Sequence, residues 1–163
     1  MMTDLAKLRP NRRFVLAALA IAGLGTGTFA VWRRPLAQKP PGSINATDGL
    51  AIQGYDPVAY FAEARPRRGL AANFVEWQGA RWLFASPANR DAFAADPERY
   101  APAYGGFCAF GVASGYKVAI DPDSWAIVDG KLYLNYSRSV QRSWQADVKG
   151  FIAKADEKWP GLK

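Results

Sequence analysis

The stretch YGGFCAFGVASGY, Tyr104 to Tyr116, holds Cys108, the single cysteine of a 163-residue chain that contains no histidine. A thiol is the softest nucleophile and metal ligand a side chain offers, and it acts as the thiolate, so its surroundings decide whether it reacts. Gly105 and Gly106 let the backbone turn or pass close to another segment, and the rings of Tyr104, Phe107, Phe110 and Tyr116 stand around the sulfur in sequence. Two readings follow. Cys108 is a small apolar core residue between two parts of the fold, as free cysteines commonly are. Alternatively it lines a cleft together with Tyr55, Asp56 and Tyr104, and these four are the candidate binding residues.

The chemistry open to such a site is narrow. Without histidine there is no imidazole base for Cys108 or for any serine, and the chain has no Gly-rich phosphate loop or dinucleotide fingerprint. No catalytic residue and no cofactor is expected. A tetrahedral zinc or a copper site needs several thiolates or imidazoles, so by ligand count one chain builds none, and Cys108 would hold a soft metal only jointly with a partner. The sequence DPDSW from Asp121 offers carboxylates without the 12-residue calcium-loop pattern, so Asp121 and Asp123 read as turn and cap residues.

The elements that must position these residues show an internal similarity at an offset of 51. QGARWLFASPANRDAFAADPERY from Gln78 aligns with DGKLYLNYSRSVQRSWQADVKGF from Asp129. Gly79 falls on Gly130, Leu83 on Leu134, Ser86 on Ser137, Ala95 on Ala146 and Asp96 on Asp147, while Trp82, Phe93 and Tyr100 meet Tyr133, Trp144 and Phe151. Each copy reads as a hairpin followed by a helix. Asp129-Gly130 lies between two runs of β-branched and aromatic residues, a strong signal for a tight hairpin turn, and Gln78-Gly79 is its weaker counterpart. Ser86 and Ser137 are placed to cap the helices that follow, with Pro87 suited to a first turn. Apolar residues then recur at helical spacing: Phe93 and Tyr100 in the first copy, Val140, Trp144, Val148, Phe151 and Ile152 in the second. The expected fold class is α+β, two hairpin–helix units around one core, preceded by an N-terminal membrane-directed helix.

The net charge of +7 does not belong to that domain. Residues 1–40 carry seven basic side chains against Asp4, a net of +6, which leaves +1 for the rest of the chain and no footprint for a nucleic acid. Arg12 and Arg13 precede Phe14 to Trp32, nineteen residues without a charge. This run predicts either an uncleaved membrane anchor through residues 14–32 or an export signal, and Arg12-Arg13-Phe14-Val15-Leu16 fits the twin-arginine type. Both routes place the domain outside the cytoplasm, in the periplasm or anchored to the inner membrane. Residues 1–34 thus form the leader. Residues 35–43, with Pro35, Pro40, Pro41 and Gly42, form an extended, semi-rigid linker, and residues 44–163 form the domain.

With the elements placed, DPVAYF from Asp56 and WLFASPANRDAFAADPERYAPAYGG from Trp82 resemble the YHS domain family over most of residues 54–106. In the family's metal-linked members the pattern opens Asp-Pro-Val-Cys-Gly-Met, then ends a strand with Tyr-His-Phe-Cys-Ser and adds a further cysteine. The chain keeps Asp56, Pro57, Val58, Phe84, Ser86, Phe93, Asp96, Pro97 and Tyr100. Ala59 stands in place of the first cysteine, Phe61 of the methionine, Leu83 of the histidine, and Ala85 and Asn89 of the remaining cysteines. The resemblance implies the family's fold without its soft metal ligands. The expected function is a non-catalytic binding module of the cell envelope, to which the resemblance alone adds a link with metal or redox homeostasis. A thiol-dependent redox protein or enzyme using Cys108 and a structural docking domain are the alternatives. The expected partners are the membrane, if the leader is retained, the export machinery and an envelope protein.

Overall fold

The computed structural model describes residues 42–163. The leader, its arginine pair and most of the linker lie outside the described residues. Among the described residues no helix is long and apolar enough to cross a membrane.

Helices and strands alternate in an α+β arrangement. Strands β1 (Ala46–Thr47) and β2 (Leu50–Ala51) precede a short helix α1 (Ala59–Ala62). A hairpin of β3 (Leu70–Trp77) and β4 (Ala80–Phe84) follows, turning at Gln78 and Gly79, whose φ values of 52° and 78° are the pair that a tight hairpin turn demands. β4 lies inside a four-stranded sheet of order β1-β2-β4-β3, in which only β2 and β4 run parallel. A second hairpin, β5 (Asp121–Val128) and β6 (Lys131–Asn135), turns at Asp129 and Gly130 with φ values of 49° and 73°.

Each hairpin leads into a pair of helices broken by an aspartate. After β4 come α2 (Pro87–Ala95) and α3 (Pro97–Tyr100), and after β6 come α5 (Arg138–Gln145) and α6 (Val148–Leu162). Ser86 Oγ accepts from the Asn89 amide at 3.1 Å and Ser137 Oγ from the Val140 amide at 3.3 Å, the capping expected of a hydroxyl before a first turn. The single helices read from the apolar spacing are in fact interrupted, because Asp96 and Asp147 cap a new helix, accepting from the amides of Arg99 and Gly150. Between the two hairpins lies α4 (Ala109–Ser114), which ends at Gly115 in the left-handed conformation.

The buried side chains form two clusters rather than the one core expected, and β6 is the partition. Leu132 and Leu134 face a cluster that contains Ile52, Tyr60, Trp82, Phe84, Phe93 and Cys108. Tyr133, between them, faces a cluster of Tyr104, Val112, Trp144, Ala155 and Trp159. A strand sends successive side chains to opposite faces, so a strand covered on both sides serves two cores. Phe93 anchors the first, with ring centroids 5.3 Å from Trp82 and 5.1 Å from Phe84, and Trp144 anchors the second, 5.5 Å from Tyr133.

Candidate functional site

The glycines before Cys108 are explained by a crossing chain. Gly105 has φ +62° and a Cβ on it would lie 1.8 Å from the Ser43 carbonyl oxygen, while one on Gly106 would meet the Ile52 side chain at 2.5 Å. No other residue fits where the entering strand passes over this turn. The Asn45 amide donates to the Gly105 carbonyl at 2.9 Å and fixes the crossing.

Beyond the turn, the Cys108 amide donates to the Val118 carbonyl at 3.2 Å, and Cys108 pairs in a parallel bridge with Leu134 of β6. Cys108 is buried and stands at the start of α4. Its Sγ accepts from the Gly111 amide at 3.4 Å, and its S–H donates to Asn135 Oδ1 at 3.8 Å. Asn135 is itself fully buried, with Nδ2 unpartnered among the described residues. Above the sulfur opens a largely apolar hollow of about 240 Å³, walled by Cys108, Phe110, Val118 and Val140. Tyr116 and Tyr136 stand at its rim, 52% and 55% exposed.

Asp56 is positioned differently. Its carboxylate is fully buried at the start of α1, where Oδ1 accepts from the amides of Val58 at 2.8 Å and Ala59 at 3.2 Å. Oδ2 accepts from the Ala85 amide at 2.8 Å and from Asn89 Nδ2 at 2.7 Å, which ties α1 to the end of β4 and the start of α2. All four bonds are internal, so the residue is a structural clamp. Tyr55 lies half-buried beneath the Arg68 guanidinium, 4.7 Å from the ring centroid. Tyr104 takes a left-handed φ of 56° and its hydroxyl donates to Asp156 Oδ1 at 2.9 Å. Burial, then the hydrogen bond to Asp156 and its charge, hold the Tyr104 hydroxyl well above the usual tyrosine range.

The structure therefore does not bring the four candidate residues into one cleft. Cys108 lines the apolar hollow, Tyr104 lines a separate cavity of about 270 Å³ with Trp77, Gln78 and Lys131, and Tyr55 and Asp56 line neither. The reason is the alternation of β6 and the reversal at Gly105, which send Tyr104 and Cys108 to different cores. Phe107 leaves the sulfur as well, packing on Trp159 at 6.2 Å, so that Phe110 and Tyr116 are the rings that share the hollow with it.

The first hairpin and its helices carry the decisive likeness. Residues 70–104 match the YHS domain. The YHS match runs from β3 through α3 to Tyr104, and the second hairpin lies beyond it. No curated protein and no solved structure matches the chain. The metal that accompanies some YHS domains does not fit the residues present. Ala59, Leu83 and Ala85 offer no donor side chain, and the Asn89 amide is engaged by Asp56. Among the described residues, no three of Cys, Asp and Glu stand close enough together to hold a metal ion.

Residue chemistry alone does not point to Tyr136, at the rim of the hollow, or to Asn135, buried against the Cys108 sulfur. The offset of 51 was the available signal, because it carries Ala85 and Asn89, which stand at cysteine positions of the family pattern, onto Tyr136 and Val140.

Proposed function

We propose that residues 44–163 are a non-catalytic binding module built from two copies of one hairpin–helix unit, with its groove in the second copy over Cys108. The observation that carries the reading is the hollow itself: apolar walls, a buried thiol at the floor and two exposed tyrosine rings at the mouth. Rings beside an apolar hollow mark a surface that another group covers, and tyrosine gives a large contact area at small entropic cost. The arrangement argues for binding over turnover, since Cys108 Sγ is held between Gly111 and Asn135 and the chain has no histidine to act as its base.

Repetition is supported by paired details at one spacing. The turns at Gln78-Gly79 and Asp129-Gly130, the caps at Ser86 and Ser137 and those at Asp96 and Asp147 all recur 51 residues apart. On this reading the place of the family's metal ligands is clamped shut in the first unit by Asp56 and open as an apolar groove in the second. Any link with metal or redox homeostasis rests on the family resemblance alone.

The module works outside the cytoplasm, on the support of the leader and its Arg12-Arg13 pair. Replacing both arginines by lysine is expected to keep the protein inside the cell, and continued export of that variant would exclude the twin-arginine route. For the groove, the test is native mass analysis of the full chain purified from its own envelope. The parent is expected to carry a bound partner that the Tyr116→Ala/Tyr136→Ala variant lacks at unchanged thermal stability. The same bound material on both would remove the groove as the site.

A further inference from the structure

We infer that the cavity between the two hairpins, apart from the Cys108 groove, is a second binding site, which takes a small neutral molecule rich in hydroxyl groups, such as a single sugar ring or a polyol. The cavity of about 270 Å³ is lined by Ile44, by Trp77 and Gln78 of the first hairpin, by Glu98 of α3, by Tyr104 and by Lys131 of the second hairpin. Gln78 carries the inference. It sits in a hairpin turn, a place ordinarily open to solvent, yet only 7% of it is exposed and its side-chain oxygen has no hydrogen-bond partner among the described residues. A buried acceptor left unpaired loses its hydration without return, so a ligand group that donates to it is bound with gain.

The backbone makes the residue type more telling. Gln78 holds φ +52°, a conformation suited to glycine, asparagine and aspartate and ill suited to a longer side chain. The matching turn position, 51 residues on, is filled by Asp129 with φ +49°, and that residue is exposed. The turn itself therefore needs no buried amide, and what Gln78 has in addition is the cavity beside it. Backbone strain kept where a simpler residue would serve is a mark of ligand sites. The lining then selects the ligand class. Glu98 and Lys131 bring opposite charges, so neither an anion nor a cation meets a net opposite charge. Lys131 Nζ donates to the Glu98 carbonyl at 2.8 Å, which ties the second hairpin to α3 and fixes one wall. A hydroxyl can donate to the Gln78 oxygen without carrying a charge into the cavity, and Trp77 and Ile44 give the carbon face of the same molecule an apolar wall.

The experiment is a proton–nitrogen NMR titration of the purified full-length chain, with D-glucose and myo-inositol as neutral probes and glucosamine and gluconate as charged ones. Both neutral probes are expected to shift the Gln78 side-chain amide and the backbone amides of Trp77 and Gly79 saturably, with a Kd on the order of 1 mM for molecules of this size. Gln78→Gly suits the left-handed turn and removes the acceptor, so its thermal midpoint should equal or exceed the parent's while binding, read on the backbone amides, falls at least about tenfold. Gln78→Asn keeps the turn and withdraws the amide from the cavity, and the same result is expected. No saturable shift with either neutral probe, binding confined to a charged probe, or undiminished binding by both variants overturns the inference. So does a lowered thermal midpoint in both variants, since Gln78 would then be a packing residue.

Discussion

At Asp56 and at Cys108 a side chain caps a short helix and faces the end of a hairpin strand, yet the two places have opposite outcomes. The Asp56 carboxylate accepts four short hydrogen bonds, two from its own helix and two from the end of β4 and the start of α2. A carboxylate has about four acceptor sites, and here each is used, so strand, loop and helix are drawn together around it. Cys108 makes two long contacts, to Gly111 and Asn135, because sulfur is a weak acceptor and a weak donor. Nothing pulls the start of α5 onto it, and the hollow between Phe110, Tyr116, Tyr136 and Val140 stays open. The strength of one capping atom separates a closed place from an open one.

Removing the strong cap is the most damaging way to break the comparison. Asp56→Ala strands the amides of Val58, Ala59 and Ala85 in a buried setting and is expected to cost about 3–5 kcal/mol in denaturant unfolding. A loss below ~1 kcal/mol would mean that the clamp is dispensable. The weak cap comes next. Cys108→Ser buries a more polar and shorter-reaching hydroxyl beside apolar walls, where the contacts to Gly111 and Asn135 are already long for sulfur, and should cost roughly 1–3 kcal/mol, with Cys108→Ala costing less. A fully stable Ser variant whose parent thiol is alkylated rapidly in the native state would contradict the burial of Cys108.

Tyr60 sharpens the comparison through pH, since it lies beside Asp56. Its hydroxyl donates to the Pro122 carbonyl at 3.0 Å, and burial, then the neighbouring Tyr55, Asp123, Asp121 and Asp56, hold it above the usual tyrosine range. Tyr104 is raised in the same direction in the second core. The folded state thus favours the neutral phenols. Their contribution is complete below the unfolded tyrosine value of ~10 and is lost as pH rises beyond it toward the raised folded values. Tyr60→Phe should cost on the order of 1 kcal/mol near neutral pH and flatten the alkaline fall, as read by unfolding free energy between about pH 8 and 11. A parent whose stability does not change over that range would refute the assignment. The smallest effect belongs to the groove rim, where Tyr136→Ala is expected to stay within about 0.5 kcal/mol of the parent. A larger loss would make Tyr136 a packing residue instead of a binding one.

Local chemistry was legible along the chain. The Asp129-Gly130 turn, the serine caps at Ser86 and Ser137 and the inward positions of Phe93 and Trp144 each depend on a few neighbouring residues, and the structure holds each of them where its own sequence window places it. The YHS likeness was legible for the same reason in the run from Trp82, which falls largely within the matched residues 70–104, whereas DPVAYF from Asp56 lies before the match. The helix breaks at Asp96 and Asp147 escaped the reading, because an aspartate that caps a second helix looks like any polar residue on the exposed side of a longer one.

What only the tertiary structure decided is every relation between residues far apart in sequence. Asp56 reaching Ala85 and Asn89, Tyr104 reaching Asp156, and Cys108 lying against Asn135 span separations of 29, 33, 52 and 27 residues. Residue type told that Gly105 permits a close approach, but not that Ser43 makes it. Tyr104 and Cys108 are four positions apart and belong to different cores, because a left-handed turn and one alternating strand lie between their surroundings. Side-chain chemistry and short-range periodicity belong to the sequence. Which face a side chain reaches depends on how the chain crosses itself, and that is set by the packing of the whole domain.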